Sequence, residues 1–171
     1  MTATLAQTRV LRPVPLEARA FQPFGDVIEA SAAARIGMNG DRFERFNDLA
    51  DVDVGTGGRA CISIARCNAP TVLPYRFDMV ERHPLGSQAF VPLGKFGFIV
   101  VVAPPGEEVD PAALRAFITD GRQGVNYLRG VWHMPLIALR RDQAFLVVDR
   151  GGLGNNCEER TLRSAVTLIG D

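Results

Sequence analysis

Apolar residues fall along this chain in short runs, mostly of roughly six to nine positions rich in Val, Ile, Phe and Thr, and proline or glycine ends each run. That rhythm predicts many short strands: 25–29, 42–49, 59–66, 75–82, 87–92, 96–102, 115–119, 125–128, 136–140, 144–149 and 162–169. The run 98–102 is apolar at every position, so its strand should be covered on both faces, by a second sheet or by a second copy of the chain. Only two segments read as helical: 16–21, and a turn with Asp110 as N-cap, Pro111 at the first helical position and Ala112 and Ala113 following. Parallel neighbours need long crossover connections, and so few helices cannot supply them. The expectation is therefore an all-β sandwich or closed barrel with a few short helices. The small-residue stretch 30–34 reads as an exposed loop.

A length of 171 residues suits one domain, 1–171, with 1–12 as an extended or flexible N-terminus. Chains of this size bury about 68–70% of their unfolded surface, so neither a disulfide framework nor a structural metal is required, and any metal would serve function. Nineteen basic residues balance nineteen acidic ones without clustering, which excludes a phosphate-backbone or anionic-membrane footprint; nucleic acid and membrane are not expected partners. Lys95 is the one lysine, so a bound carboxylate would meet an arginine fork. Cys61, Cys67 and Cys157 are odd in number and form no CxxC pair, which reads as reduced thiols in a cytoplasmic protein. The N-terminal residues lack a signal-peptide apolar core, and the longest apolar run, 98–103, is too short to cross a bilayer.

His83 and His133 are the only histidines, so all imidazole chemistry must pass through them. No GxSxG elbow is present, and the glycine clusters at 55–58 and 151–154 lack the lysine and strand-to-helix setting of a phosphate loop. Around the first histidine the chain reads Glu81-Arg-His83-Pro-Leu-Gly-Ser-Gln88. Residues two apart on a strand share a face, so Glu81 and His83 can both face a barrel interior, with Gln88 returning on the next strand. Metal-binding cupin barrels place a His-x-His-x(3–4)-Glu pattern here and add a later histidine. This chain resembles that arrangement with Glu81, His83 and Gln88, and with His133 as the late member. Two imidazoles and a carboxylate would suit a divalent transition metal; hydrogen bonding in the barrel mouth without metal is the other reading.

Longer stretches resemble the ureidoglycolate lyases: residues 81–92 (ERHPLGSQAFVP), 114–119 (LRAFIT), 121–127 (GRQGVNY), 131–136 (VWHMPL), 149–152 (DRGG) and Asn156-Cys157. In order and spacing the resemblance runs from about residue 11 to the C-terminus. It implies a cupin-like β-barrel of jelly-roll type, a homodimer, nickel as a possible cofactor, and cleavage of (S)-ureidoglycolate to glyoxylate and urea in allantoin breakdown. The family commonly writes Trp-His-His-Pro-Leu where this chain has Met134 as the third residue of that stretch, and some relatives place His at Asn47. A thioether takes up no proton near neutral pH, so His133 should face the cavity while Met134 packs outward.

Cleavage requires a proton taken from the substrate hydroxyl and one given to the departing nitrogen. His83 and His133 are the natural pair, with Glu81 as alternative base or as orienter of His83. Arg66 or Arg82 could bind the substrate carboxylate, Gln88, Asn126 and Tyr127 could bind or orient the substrate, and Cys157 reads as structural. Two rivals stay open at this point: an amidohydrolase releasing ammonia from the same substrate, and a cupin that binds a small acid without turnover.

Overall fold

The computed structural model describes residues 9–31 and 35–170. Within them run fourteen strands and a single α-helical turn: β1 (Arg9–Leu11), β2 (Val14–Pro15), α1 (Ala18–Phe21), β3 (Gly25–Ile28), β4 (Arg35–Met38), β5 (Phe43–Phe46), β6 (Arg59–Arg66), β7 (Tyr75–Arg82), β8 (Gln88–Pro92), β9 (Ile99–Ala103), β10 (Arg115–Ile118), β11 (Gly124–Tyr127), β12 (Trp132–His133), β13 (Ala144–Gly151) and β14 (Glu158–Leu168). Seven strands form one sheet in the order β1-β14-β7-β12-β9-β10-β2, and five form a second in the order β3-β11-β8-β13-β6. The remaining two, β4 and β5, make a separate hairpin. The class is all-β, two curled sheets in a cupin-like arrangement.

Between the sheets lies an apolar layer drawn from both: Val100, Val102 and Phe117 from the first, Phe90, Val125, Phe145 and Val147 from the second. Behind the seven-stranded sheet a second cluster gathers Val80, Ile99, Val101, Ala103, Trp132 and Val166 under Val109 and Leu114. Successive residues of β9 therefore enter alternate clusters, and all five are buried. That accounts for the unalternated run: the chain itself covers both faces, and no second copy is needed there. Each fully buried Val or Phe of these layers contributes about 1.5–3 kcal/mol relative to exposure.

Strands β6 and β7 occupy the residues that the apolar pattern predicts, and most others differ only at their ends. Asp110 caps a 3-10 turn at Pro111–Ala113, its carboxylate accepting from the Ala112 amide at 2.9 Å. Residues 136–140 depart from expectation and form no strand. Only Ile137 bridges to Ile99, and the Leu139 and Arg140 amides donate to the Gln143 side chain at 2.7 and 3.1 Å instead of to a neighbouring strand. The predicted strand 42–49 shortens to β5, because it belongs to a hairpin with β4 whose turn holds Asn39, Gly40 and Asp41 at positive φ. Residues 9–11 of the expected loose N-terminus instead pair in parallel with β14, and β2 pairs in parallel with β10. Residues 1–8 of that segment, and 32–34 of the expected loop 30–34, lie outside the described residues.

Candidate active site

Strand β12 is two residues long and is inserted between β7 and β9, with His133 directly opposite Glu81 on one side and Val102 on the other. Residues paired this way share a face. His133 thus projects beside Glu81 into the space between the sheets, its Nε2 3.5 Å from Glu81 Oε1. His83 follows Glu81 at strand spacing, and its ring centroid lies 5.0 Å from that of His133 at an interplanar angle of 42°. One ligand-type atom from each of Glu81, His83 and His133 lies within 4.8 Å of the others.

Hydrogen bonds to Nδ1 set the direction of both rings. His83 Nδ1 meets the Asn156 carbonyl at 2.5 Å and His133 Nδ1 meets the Val131 carbonyl at 3.0 Å. A carbonyl only accepts, so each Nδ1 carries a proton and donates it. Both Nε2 atoms are buried and without a hydrogen-bond partner, the 3.5 Å contact of His133 being ion-pair range rather than a formed hydrogen bond. Two imidazole nitrogens and a carboxylate therefore converge with no donor among them. Such a point takes either protons or a divalent cation.

The electrostatics follow from that convergence. Contact with His133 holds the Glu81 carboxyl below its ordinary range against the opposing effect of burial, helped by the charge of His83 and by the Cys157 thiol. Cys157 Sγ stands 3.7 Å from Glu81 Oε2, and burial first, then the Glu81 charge, pushes that thiol up, so it is a proton donor to the carboxylate rather than a nucleophile. From the facing sheet Tyr127 stacks on His133, centroids 4.5 Å apart at 26°. Burial and the Glu81 charge push its phenol up too, so it stays protonated. Gln88 lies opposite Tyr127 in the β8–β11 register and shares its face.

Other residues expected at the site are held elsewhere. Arg82 alternates to the far face of β7, where its guanidinium bonds Glu158 at 2.7 Å and lies 4.6 Å from the centre of the Trp132 ring. Arg66 pairs with Ala144, at the opposite end of β6 from Arg59. The Arg82 guanidinium is thus engaged by Glu158 and Trp132. Asn126 alternates with Tyr127 and points away from His133; its amide donates to Asp26 at 3.0 Å and to the Asp51 carbonyl at 2.9 Å, which makes it a loop strut. Met134 packs into the cluster behind the sheet, opposite in direction to His133. Its side chain lines a surface cleft with Tyr75, Arg76 and Leu136, but that cleft contains no imidazole and no orphaned polar atom. Asn156, named from sequence only as part of the family resemblance, is the participant whose role sequence reasoning missed: it lies 73 residues from His83.

A family model described as ureidoglycolate lyase matches residues 8–169. A ureidoglycolate lyase of Burkholderia mallei (strain NCTC 10229) is 52% identical over 158 residues, 92% of each chain. One from Azotobacter vinelandii is 49% identical over 152 residues, 88% of this chain and 91% of that one. A third, from Pseudomonas fluorescens (strain Pf0-1), is 47% identical over 162 residues, 94% and 96%. A solved dTDP sugar isomerase from Desulfovibrio desulfuricans G20 aligns at 16% identity and TM-score 0.38, covering 81% of this chain and 85% of that one; this is too low to carry an argument. Matched over nearly its whole length by the family model and by relatives near half identical, the chain belongs to the ureidoglycolate lyase family.

Proposed function

We propose that the chain cleaves (S)-ureidoglycolate to glyoxylate and urea. The observation that carries this reading is the convergence of His83, His133 and Glu81 within 4.8 Å, in a chain whose relatives are named for that lyase activity. The reaction breaks one C–N bond. A base takes the hydroxyl proton, the oxygen's electrons form the aldehyde of glyoxylate, and the departing ureido nitrogen takes a proton to leave as urea. No water is consumed, which is what separates this reaction from release of ammonia.

His83, half-buried and with its lone pair on Nε2, is the group that takes the hydroxyl proton. His133 Nδ1 donates to Val131 O, and its Nε2 stands 3.5 Å from Glu81 Oε1, so a proton taken up at this point lies between the ring and that carboxylate. In the proposed step that side of His133 passes the proton to the departing nitrogen. Tyr127 buttresses the His133 ring, and the amide of Gln88 on the same face supplies hydrogen bonds to the ureido group. The same cluster also fits a divalent ion, nickel by family resemblance, held by Glu81, His83 and His133; when bound it would act as a Lewis acid on the substrate's hydroxyl and carboxylate oxygens. A cytoplasmic homodimer completes the proposal.

Incubating the purified protein with racemic ureidoglycolate, beside an enzyme-free control, and measuring glyoxylate, urea and ammonia separately tests the reading. Glyoxylate and urea in equal amounts, from half of the racemate, support it. Ammonia as the main nitrogen product would assign the amidohydrolase instead.

A further inference from the structure

Histidine 83 lies just past the end of β7, where the sheet no longer supports it. Its main-chain carbonyl accepts from the Gly130 amide at 2.9 Å, Pro84 has no amide to donate, and the first donor after it is Leu85. Both the ring and that donor are met by one residue of the connection between β13 and β14. The Asn156 carbonyl accepts from His83 Nδ1 at 2.5 Å, and Asn156 Oδ1 accepts from the Leu85 amide at 2.8 Å. Two bonds from one half-buried residue thus clamp the segment 83–85 on either side of Pro84.

The connection is shaped to reach this point. Gly152 and Gly154 take φ of 127° and 96°, backbone that other residues rarely adopt, and a Cβ at Gly154 would come 2.8 Å from Leu85 Cδ1. The residue after the clamp, Cys157, carries the thiol 3.7 Å from Glu81 Oε2. One short strap therefore touches both Glu81 of β7 and His83 just beyond it, and it is anchored in both sheets because it leaves β13 and enters β14.

Resting on the proposed lyase reading, we infer that Asn156 is a positioning residue: its carbonyl fixes His83 as the Nδ1–H tautomer, with the Nε2 lone pair turned into the site, and its side chain holds the strap in place to do so. Without the Oδ1–Leu85 bond the strap loses one of its two attachments, the His83 ring is free to rotate, and the proton redistributes between its nitrogens. The chemistry then lacks a base of fixed direction.

The test is the ¹⁵N imidazole spectrum of metal-free protein, which tells a ring protonated at Nδ1 from one protonated at Nε2. In the unmodified chain His83 should be protonated at Nδ1 alone. Asn156→Ala should show a growing share of the Nε2-protonated form, with kcat falling about tenfold or more and KM changing by less than about threefold. Asn156→Asp keeps the side-chain acceptor and should restore both the tautomer and most of kcat. A His83 protonated at Nε2 in the unmodified chain overturns the inference, and so does Asn156→Ala with unchanged tautomer and kcat. The tautomer of the unmodified chain is read without any variant folding and without any turnover. Absence of lyase activity would therefore count against the proposed reaction and leave this inference to be decided by the spectrum.

Discussion

At the scale of single residues the site turns on which atoms lack partners. His83 and His133 each spend Nδ1 on a backbone carbonyl and leave Nε2 to the cluster. General acid–base catalysis of this kind is worth roughly 10² to 10⁴ in rate, so His133→Ala should lower kcat by about that factor in the glyoxylate assay. Cys157→Ser, which keeps a donor toward Glu81, should retain most turnover; the opposite ranking of these two variants would make the thiol the reacting group. A different pair bears on stability. Arg129 and Asp53 are ion-paired at half-exposed positions, and the Arg129 guanidinium together with the Gly55 amide holds the Asp53 carboxyl below its ordinary range. A carboxyl depressed in the folded state stabilises above its unfolded pKa of ~3.9, and that contribution is lost as pH falls through the folded value. The melting temperatures of the unmodified chain and Asp53→Asn should therefore differ near neutrality and converge in acid. Of the residues named from sequence, strand parity put Glu81 and His83 on one face and Met134 on the other side from His133, as they lie in the fold; that Tyr127 stacks on His133 was not legible. Parity also turned Arg82 outward, but charge and proximity in sequence could not show that Glu158 and Trp132 already hold it, nor that Asn126 serves a loop.

At the scale of elements the decisive piece is the one too short to read. A two-residue strand has no periodicity, so β12 was not legible, yet it is what places His133 opposite Glu81. Trp132, fully buried and lying against Arg82, anchors it from behind. Trp132→Ala should cost about 3–5 kcal/mol in urea unfolding, and it should impair turnover through His133 even in conditions where the protein remains folded. Long strands were legible because their apolar runs end in Pro or Gly. The segment 136–140 was misread because a run of Leu, Ile, Ala and Leu packs equally well without strand pairing once Gln143 satisfies its amides. Such a substitution of side chain for ladder leaves no trace in hydrophobic pattern.

At the scale of the molecule, two sheets bring residues from the middle of the chain, its later third and the β13–β14 connection to one point. The all-β class was legible from the scarcity of helices; the parallel edge pairs β1–β14 and β2–β10 were not, because each joins the start of the chain to a strand more than a hundred residues later and depends on closure of the whole fold. Convergence of three acceptors predicts that metal-free protein titrated with Ni(II) gives a single-site calorimetric isotherm, and that His83→Ala abolishes it. Heat indistinguishable from dilution would leave the cluster to protons alone. The most direct measurement of the central claim is the product balance from (S)-ureidoglycolate with the unmodified chain and His133→Ala side by side, corrected for spontaneous decay. The account predicts equimolar urea and glyoxylate, with no ammonia, from the unmodified chain and a rate near background from the variant. Equal rates from the two proteins would contradict it.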